Sequence, residues 1–138
     1  MSYILNLTQY LRTQKPEEII YANTRTRTEL TDQVPDRNVL VRSTGGVETG
    51  WFQFQINSFQ IVTRDIDQVK AEKLSFDIHE EINNKFGLIL PEVTIDGNTY
   101  PQVISAQISV NTLPQSVGFD EEGRAEFSAN YRIIFKEN

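Results

Sequence analysis

Residues with metal-binding or catalytic potential group first around the single histidine of the chain. His79-Glu80-Glu81-Ile82-Asn83 begins like the helical zinc motif His-Glu-x-x-His, but Asn83 stands where a second histidine must coordinate the metal one turn later. One histidine on a helix cannot hold zinc in that way. The pattern predicts no catalytic or metal-binding role for His79, and we expect its side chain on a solvated helix face.

Two further segments contain residue types that bind ions. Asp120-Glu121-Glu122 could attract a cation, but adjacent carboxylates in a tight turn point apart and lack the spacing of a calcium loop. Thr44-Gly45-Gly46 is not followed by Gly-Lys-Ser or Gly-Lys-Thr and does not open a helix, so it does not predict a phosphate cradle. We therefore nominate no catalytic, cofactor-binding or metal-binding residue.

A pair of arginines is the remaining group with binding potential. Arg25 and Arg27 alternate with threonines, which places both guanidinium groups on one side if the segment is extended. Because the guanidinium fork matches a carboxylate, the pair is a candidate contact with a partner's acidic groups. A solvated polar strand is the alternative.

Composition excludes several classes of protein. A formal net charge of -6, a pI near 4.8 and thirteen scattered basic residues argue against a general nucleic-acid binder. The absence of cysteine excludes a disulfide framework and thiolate metal sites. We see no signal peptide and no apolar run approaching about 18 residues, so synthesis in the cytoplasm without a membrane segment is expected. The length of 138 residues fits one domain, residues 1–138.

Two helices are predicted. Ile4, Leu7 and Leu11 recur at helical spacing behind Ser2 as a cap, and Lys15-Pro16 should end this first helix. The second begins with the capping-box pair Asp65 and Gln68 and continues to Phe86, where Gly87 is a natural stop. Its stripe facing the sheet consists of Ala71, Leu74, Ser75, Ile78 and Ile82.

Val69 and Phe76 fall on the opposite side of the second helix. A lone monomer would expose both, either incidentally, or under a covering loop, or as a subunit contact.

The first half of the chain predicts three strands. Ile19–Tyr21 is a strand before a long loop or an edge strand with little burial, and Val39–Arg42 is the second. Gly45 to Trp51 reads as a flexible connection to a longer strand, Trp51–Val62. That strand changes parity near Asn57-Ser58, so either a bulge lies there or both faces are buried.

The last third of the chain predicts a hairpin and a long ribbon. Val93–Tyr100 turns around Asp96-Gly97-Asn98. The ribbon, from Pro101 to Lys136, contains two alternating runs around the turn-like residues 118–123. The buried sides are predicted to be Ile104, Ala106, Ile108 and Val110 in the first run and Phe127, Ala129, Tyr131, Ile133 and Phe135 in the second.

Several segments in this order resemble the tail terminators of tailed bacteriophages, which are minor capsid proteins at the head-tail joint. These segments are Val39-Leu40-Val41-Arg42 before a Gly-Gly loop, Arg64-Asp65 before a capped helix with Ala71, Leu113-Pro114-Gln115-Ser116-Val117-Gly118, Asp120-Glu121-Glu122-Gly123-Arg124 and Ser128-Ala129-Asn130-Tyr131. The resemblance spans most of residues 35–135.

The resemblance implies a non-enzymatic virion protein with an α+β fold, a mostly antiparallel sheet on which an amino-terminal helix and a longer central helix pack. Similar proteins form a ring, commonly a hexamer, that caps the tail tube, ends its polymerisation and meets the head connector. DNA would pass through the lumen without sequence-specific binding. The alternatives are a tube or head-completion subunit of the same assembly, or a small cytoplasmic ligand-binding domain or unrecognised enzyme.

Assembly contacts are expected in two groups. Val69, Phe76, Arg25 and Arg27 are the candidate subunit interface. Two turn-rich segments, Gly45–Trp51 and Pro114–Gly123, are candidate contact loops toward the tube, the connector or a neighbour, with ordinary mobile loops as the alternative. The candidate contact residues in and beside them are Gly45, Gly46, Glu48, Trp51, Gln115, Phe119, Asp120, Glu121, Glu122 and Arg124.

Overall fold

The structure, a computed structural model, describes residues 3–25, 33–49 and 54–136. The helices are α1 (Ile4–Gln14) and α2 (Gln68–Ile82). The strands are β1 (Ile20–Ala22), β2 (Asn38–Thr49), β3 (Phe54–Asp65), β4 (Lys85–Phe86), β5 (Ile89–Leu90), β6 (Val93–Ile95), β7 (Asn98–Tyr100), β8 (Val103–Phe119) and β9 (Ala125–Lys136).

Seven of these strands form one sheet in the order β1-β2-β3-β9-β8-β4, with β5 also paired to β8. The β1–β2 pair is parallel, and the other described pairs are antiparallel. The small β6–β7 hairpin is separate and turns at Asp96 and Gly97, both with positive φ, as Asp-Gly hairpin turns require. The predicted α+β class and this hairpin are confirmed.

Both helices pack on one face of the sheet. Leu7 and Leu11 of α1 and Ile78 of α2 belong to the same buried cluster as Phe59 and Ile133 of the central strands. The predicted α2 stripe is buried, and so are the five inward residues predicted for β9. Strict periodicity therefore located two of the surfaces that form the core.

The opposite face has a smaller apolar cluster. Leu40 pairs with Val62 in the β2–β3 ladder and with Tyr21 in β1, and the three side chains are buried together. Phe59 and Ile61 point to the helix side, so β3 is buried on both faces, as one of the two alternatives predicted. The bulge is in the partner strand: the register shifts between Ser43 and Gly45 of β2.

The helix starts and the end of α2 differ from the prediction. Tyr3, with no side-chain cap, precedes α1, while Ser2 lies outside the described residues. Asp67, in place of Asp65, caps α2, because the chain remains in β3 through Asp65. The helix stops at Ile82, since the following residues turn into β4.

One of the two alternatives for the first strand, and the buried side predicted for the first run of the ribbon, were wrong. The predicted strand at Ile19–Tyr21 is present as β1, but it is not an edge strand with little burial, because Ile20 and Tyr21 are both buried. In β8, Ile104 and Ala106 are exposed and Ser105 is buried. A register shift between Ser105 and Gln107 adds one residue to β8 and reverses the side of the sheet that Ile104 faces.

Candidate assembly surfaces

The outer face of α2 carries the two apolar residues that the helical pattern places away from the sheet. The carboxylate of Asp67 begins the helix by accepting hydrogen bonds from the N–H groups of Val69 (2.9 Å) and Lys70 (3.4 Å). Val69 is 76% exposed and Phe76 is 41% exposed. Their exposure is confirmed, and their role as subunit contacts stays a prediction.

His79 is buried, which corrects the expected solvated position. Its Nδ1 lies 2.8 Å from the hydroxyl oxygen of Tyr131, and the edge of Phe76 approaches its ring at 6.3 Å between centroids. Burial lowers the pKa of His79 and so favours the neutral imidazole. The geometry gives His79 a hydrogen bond that joins α2 to β9.

Arg25 is bound within the protein's own charged cluster. Its Nε donates to Asn38 Oδ1 at 2.7 Å, and its Nη2 lies 3.4 Å from Glu126 Oε2. Burial lowers the pKa of Arg25, and the positive charge of Arg64 lowers it further. Arg25 thus has internal partners, whereas Arg27 lies outside the described residues.

Asp120 holds the acidic turn between β8 and β9. Its Oδ1 accepts hydrogen bonds from the N–H groups of Glu122 (3.0 Å) and Arg124 (2.9 Å), and its Oδ2 accepts one from Arg124 Nε (2.8 Å). The N–H of Arg124 is the main cause that lowers the pKa of Asp120. Asp120 and Arg124 therefore shape the turn, and the exposed Glu121 and Glu122 are the members of the triplet that face solvent.

Two arginines join this turn to the segment before β2. Arg64 donates from Nε to the carbonyl of Asp36 (3.2 Å) and from Nη2 to that of Pro35 (3.0 Å). Arg124 Nη1 lies 3.3 Å from Asp36 Oδ1, and Arg64 Nη1 lies 3.7 Å from Asp120 Oδ2. The Arg64-Asp65 and Asp120-to-Arg124 motifs thus meet in space as one structural network.

Both candidate contact loops are largely strands. Gly45 and Gly46 pair with Ser58 and Asn57 of β3, and the ladder continues through Glu48 to Thr49. A φ of 113° at Gly45 permits the bulge, and β2 continues beyond it. Trp51 lies outside the described residues.

The second segment pairs with β9 over most of its length. Gln115 lies opposite Ser128, and Phe119 lies opposite Ala125, so β8 ends only at the acidic turn. Phe119 is nevertheless exposed. The residues of this segment that a partner can reach are therefore exposed strand side chains together with Glu121 and Glu122.

The two predicted contact segments lie at opposite ends of the sheet. At one end, cross-strand pairing places Thr49, Phe54 and Lys136 in one row across β2, β3 and β9. At the other end, Asp65, Ala125 and Phe119 form one row across β3, β9 and β8. The twelve residues of β3 run from one row to the other, so the rows are eleven steps apart, a span of about 35–40 Å at about 3.3 Å per residue.

Sequence reasoning missed an exposed apolar group at the β4–β5–β8 corner. Ile89 lies directly opposite Ile104, and Phe86 lies opposite Gln107 in the adjoining pair. The apolar character is visible in the sequence, but the helical pattern places Phe86 at the end of the second helix and strict alternation places Ile104 on the buried face. Leu113 and Val117 of β8 are also exposed and are not among the individual contact residues that the sequence predicts.

A sequence model of a phage protein family matches most of this chain. The family is described as bacteriophage tail terminator protein, and the match covers residues 21–137, which include both long hairpins, α2 and the arginine network. The chain belongs to the bacteriophage tail terminator family. It is accordingly a structural protein of the phage tail, with its place in the virion.

The family match begins after α1, so this helix lies outside the matched residues, although it packs in the same core. No curated protein matches the chain significantly. Among the described residues of this tail terminator, neither helix has the length and apolar character needed to span a membrane.

Proposed function

We propose that this tail terminator forms a closed ring, a hexamer, that caps the finished tail tube, stops its polymerisation and offers a surface to the head connector. Family membership across residues 21–137 is the observation that carries the proposal. The protein would be made in the host bacterial cytoplasm and would reside at the head-tail junction, at the top of the tail.

The subunit has two separated ends that suit two different partners. The β2–β3 end and the acidic turn between β8 and β9 lie about 35–40 Å apart along rigid, paired strands. A terminator must contact the tube on one side and the connector on the other. We assign these two contacts to the two ends of the sheet, where paired strands hold the contact residues in place.

Closing the ring needs a heterologous interface, in which one surface of a subunit meets a different surface of its neighbour. The outer face of α2, with Val69 and Phe76, is one candidate surface. Arg25 supports assembly indirectly, because its bonds to Asn38 and Glu126 fix the charged end of the sheet.

The charge of the chain suits a channel for DNA. A net charge of -6 per subunit would give the ring a strong negative potential, which repels phosphates and limits adhesion of DNA to the lumen. Passage without sequence-specific binding is the expected behaviour.

The proposal is tested by negative-stain microscopy of the purified protein and of tube protein polymerised with and without it. Closed sixfold rings, and tubes that stop growing with a ring at one end, are expected. Open-ended polymers of this chain would indicate a tube subunit, and retention on tailless heads would indicate a head-completion protein. Monomers that leave tube growth unchanged would contradict the proposal.

A further inference from the structure

The side of α2 that faces away from the sheet carries alternating apolar and acidic side chains, here named the α2 ridge: Val69, Glu72, Phe76 and Glu80. At 3.6 residues per turn these four positions fall within about 80° of one another. All four are exposed, and neither glutamate has an ion pair within the described part of the chain. Lys73, which borders the ridge, is already paired with Asp77 at 3.0 Å. The α2 ridge is therefore both apolar and negative.

The face of the sheet without helices, here named the open face, carries positive charge. Arg132 alternates with Tyr131 and Ile133 of the helix-side core, and Arg42 alternates with Val41 of that core. Since successive side chains of a strand point to opposite faces, both arginines lie on the open face. Both are also exposed.

No carboxylate lies beside either arginine in the sheet. Cross-strand pairing gives two neighbouring rows on the open face, one of Arg42, Gln60, Asn130 and Thr112 and one of Gly45, Ser58, Arg132 and Ser109. Arg42 Nε donates to a neutral acceptor, Gln60 Oε1, at 2.6 Å, and neither arginine has an ion pair among the described residues. Both guanidinium groups can therefore receive carboxylates from another protein.

Three exposed apolar side chains adjoin these arginines on the open face, here named the corner patch: Phe86, Ile89 and Ile104. They are 71%, 54% and 55% exposed, respectively. The row next to Arg132 contains Ile134, Gln107 and Phe86, and Ile89 lies opposite Ile104 in the adjoining pair. Since a phenylalanine side chain alone has on the order of 200 Å², the corner patch exposes roughly 300 Å². Patches of that size on a monomer are often functional.

We propose that the α2 ridge of one copy binds the open face of the next copy. The proposal rests on the ring proposed above and names the second surface that its contact at α2 requires. Within one subunit the sheet and the body of α2 separate the two surfaces, so they cannot meet in the same chain. Two different surfaces on opposite sides of the subunit give the heterologous contact that closes a ring.

Charge selects a second copy as the occupant. Contact between two α2 ridges would oppose glutamates, and contact between two open faces would oppose arginines. Only the unlike pairing brings Glu72 and Glu80 of one copy toward Arg42 and Arg132 of the next. The two surfaces of this chain thus attract each other and repel themselves.

The spacing of the charges agrees with this pairing. Glu72 and Glu80 are eight residues apart on the helix, a distance of about 12 Å along its axis. Arg42 and Arg132 are two strands and one row apart, which also gives about 12 Å between their backbone positions. The same diagonal continues about 12 Å from Arg132 to Phe86. With Glu72 at Arg132 and Glu80 at Arg42, the apolar start of the ridge lies toward the corner patch.

A mixing experiment with reversed charges tests the proposal. Glu72→Lys with Glu80→Lys reverses the ridge, and Arg42→Glu with Arg132→Glu reverses the open face. Each double variant alone sets like charges against each other, so its association in analytical ultracentrifugation at low salt should weaken at least about 10-fold. An equimolar mixture should regain rings, because the reversed ridge then meets the reversed face and the two unaltered surfaces meet each other in alternation.

The control for charge is Glu17→Lys with Glu121→Lys. Both residues are exposed and lie outside the two surfaces, and the change in net charge equals that of the reversed ridge. This variant should form rings like the wild type.

Substitutions of the apolar residues give a second test. Phe76→Asp alters only the ridge and Phe86→Asp only the open face, so each variant alone should be monomeric. Their mixture should form a heterodimer and nothing larger, because one unaltered ridge then meets one unaltered open face. Ile95→Asp, in the separate β6–β7 hairpin, is the matched control and should leave the rings unchanged. Circular dichroism identifies any variant that fails to fold, and the charge-reversal series at exposed positions then decides.

The outcomes separate this inference from the ring proposal. A monomeric wild type contradicts both. If the wild type forms rings, three results overturn the pairing while the ring stands: the charge-reversed variants each form rings alone, their mixture fails to regain them, or the control variants lose them equally.

Discussion

The hydrogen bond between His79 and Tyr131 gives the sharpest test of how α2 is held on the sheet. Tyr131→Phe removes the hydroxyl that lies 2.8 Å from His79 Nδ1. The aromatic ring remains and keeps its stacked contact with Phe59, 5.2 Å between centroids. The change therefore isolates one polar interaction in a position that is 1% exposed.

The expected loss of stability follows from the burial of this hydrogen bond. A net hydrogen bond contributes about 1 kcal/mol, and leaving a buried polar partner without one raises the loss to about 1–3 kcal/mol. We expect the free energy of unfolding to fall by about 2 kcal/mol, which is a large part of the stability of a single domain. The measurement is urea unfolding followed by circular dichroism, at a concentration where sedimentation shows one oligomeric species.

Tyr21→Phe is the matched control. Tyr21 is also buried, but its hydroxyl has no hydrogen-bond partner among the described residues. Removing that hydroxyl should change stability little or raise it. If the two variants lose the same stability, or if His79→Leu and Tyr131→Phe add without coupling in a double-mutant cycle, the bond does not hold the helix as inferred.

Three further predictions follow from the described surfaces. Burial lowers the folded-state pKa of His79 below the ordinary value of about 6.5, so the unfolded chain takes up the proton first as the pH falls. The free energy of unfolding should therefore decrease as the pH drops from 7 toward 5. His79→Leu should flatten this pH dependence in urea titrations, and an unchanged slope would contradict the prediction. Val69→Asp and Phe76→Asp should shift the ring toward monomers in sedimentation, and an unchanged ring would exclude the α2 face from the interface. Glu121→Ser with Glu122→Ser should leave the monomer folded but impair capping, whereas tails of normal length on normal virions would rule this turn out as a contact.

Periodicity in the sequence predicted the elements that alternate without interruption. In β9 the inward residues keep one parity from Phe127 to Phe135, and in α2 the stripe from Ala71 to Ile82 follows the helical repeat. Each pattern is a local property of a regular element. The core side of these elements could therefore be identified before the structure.

The errors arise where contacts distant in sequence decide the structure. His79 has acidic neighbours in sequence, yet it is covered because Tyr131, 52 residues away, supplies a hydrogen-bond partner. Gly45 looked like part of a loop, but the full length of β3 lies opposite and extends the ladder past it. Asp120 looked like a contact residue, and Arg124 together with Arg64 uses its carboxylate inside the protein. Tyr131, β3 and Arg64 are too distant in sequence to be visible in a local window, whereas Arg124 is only four residues from Asp120.

The irregularities that made β8 hard to predict also create its exposed apolar surface. One extra residue near Ala106 leaves Ile108 in the core but turns Ile104 outward, beside Ile89. A further shift, between Ser116 and Gly118, leaves Val117 without a partner in β9 and exposed. Regular pairing would send alternate side chains into the core in a single register, so such shifts cost ladder hydrogen bonds and apolar burial. Association with a neighbouring subunit would recover that burial, which gives a physical reason for a tail protein to keep a bulged strand at the edge of its sheet.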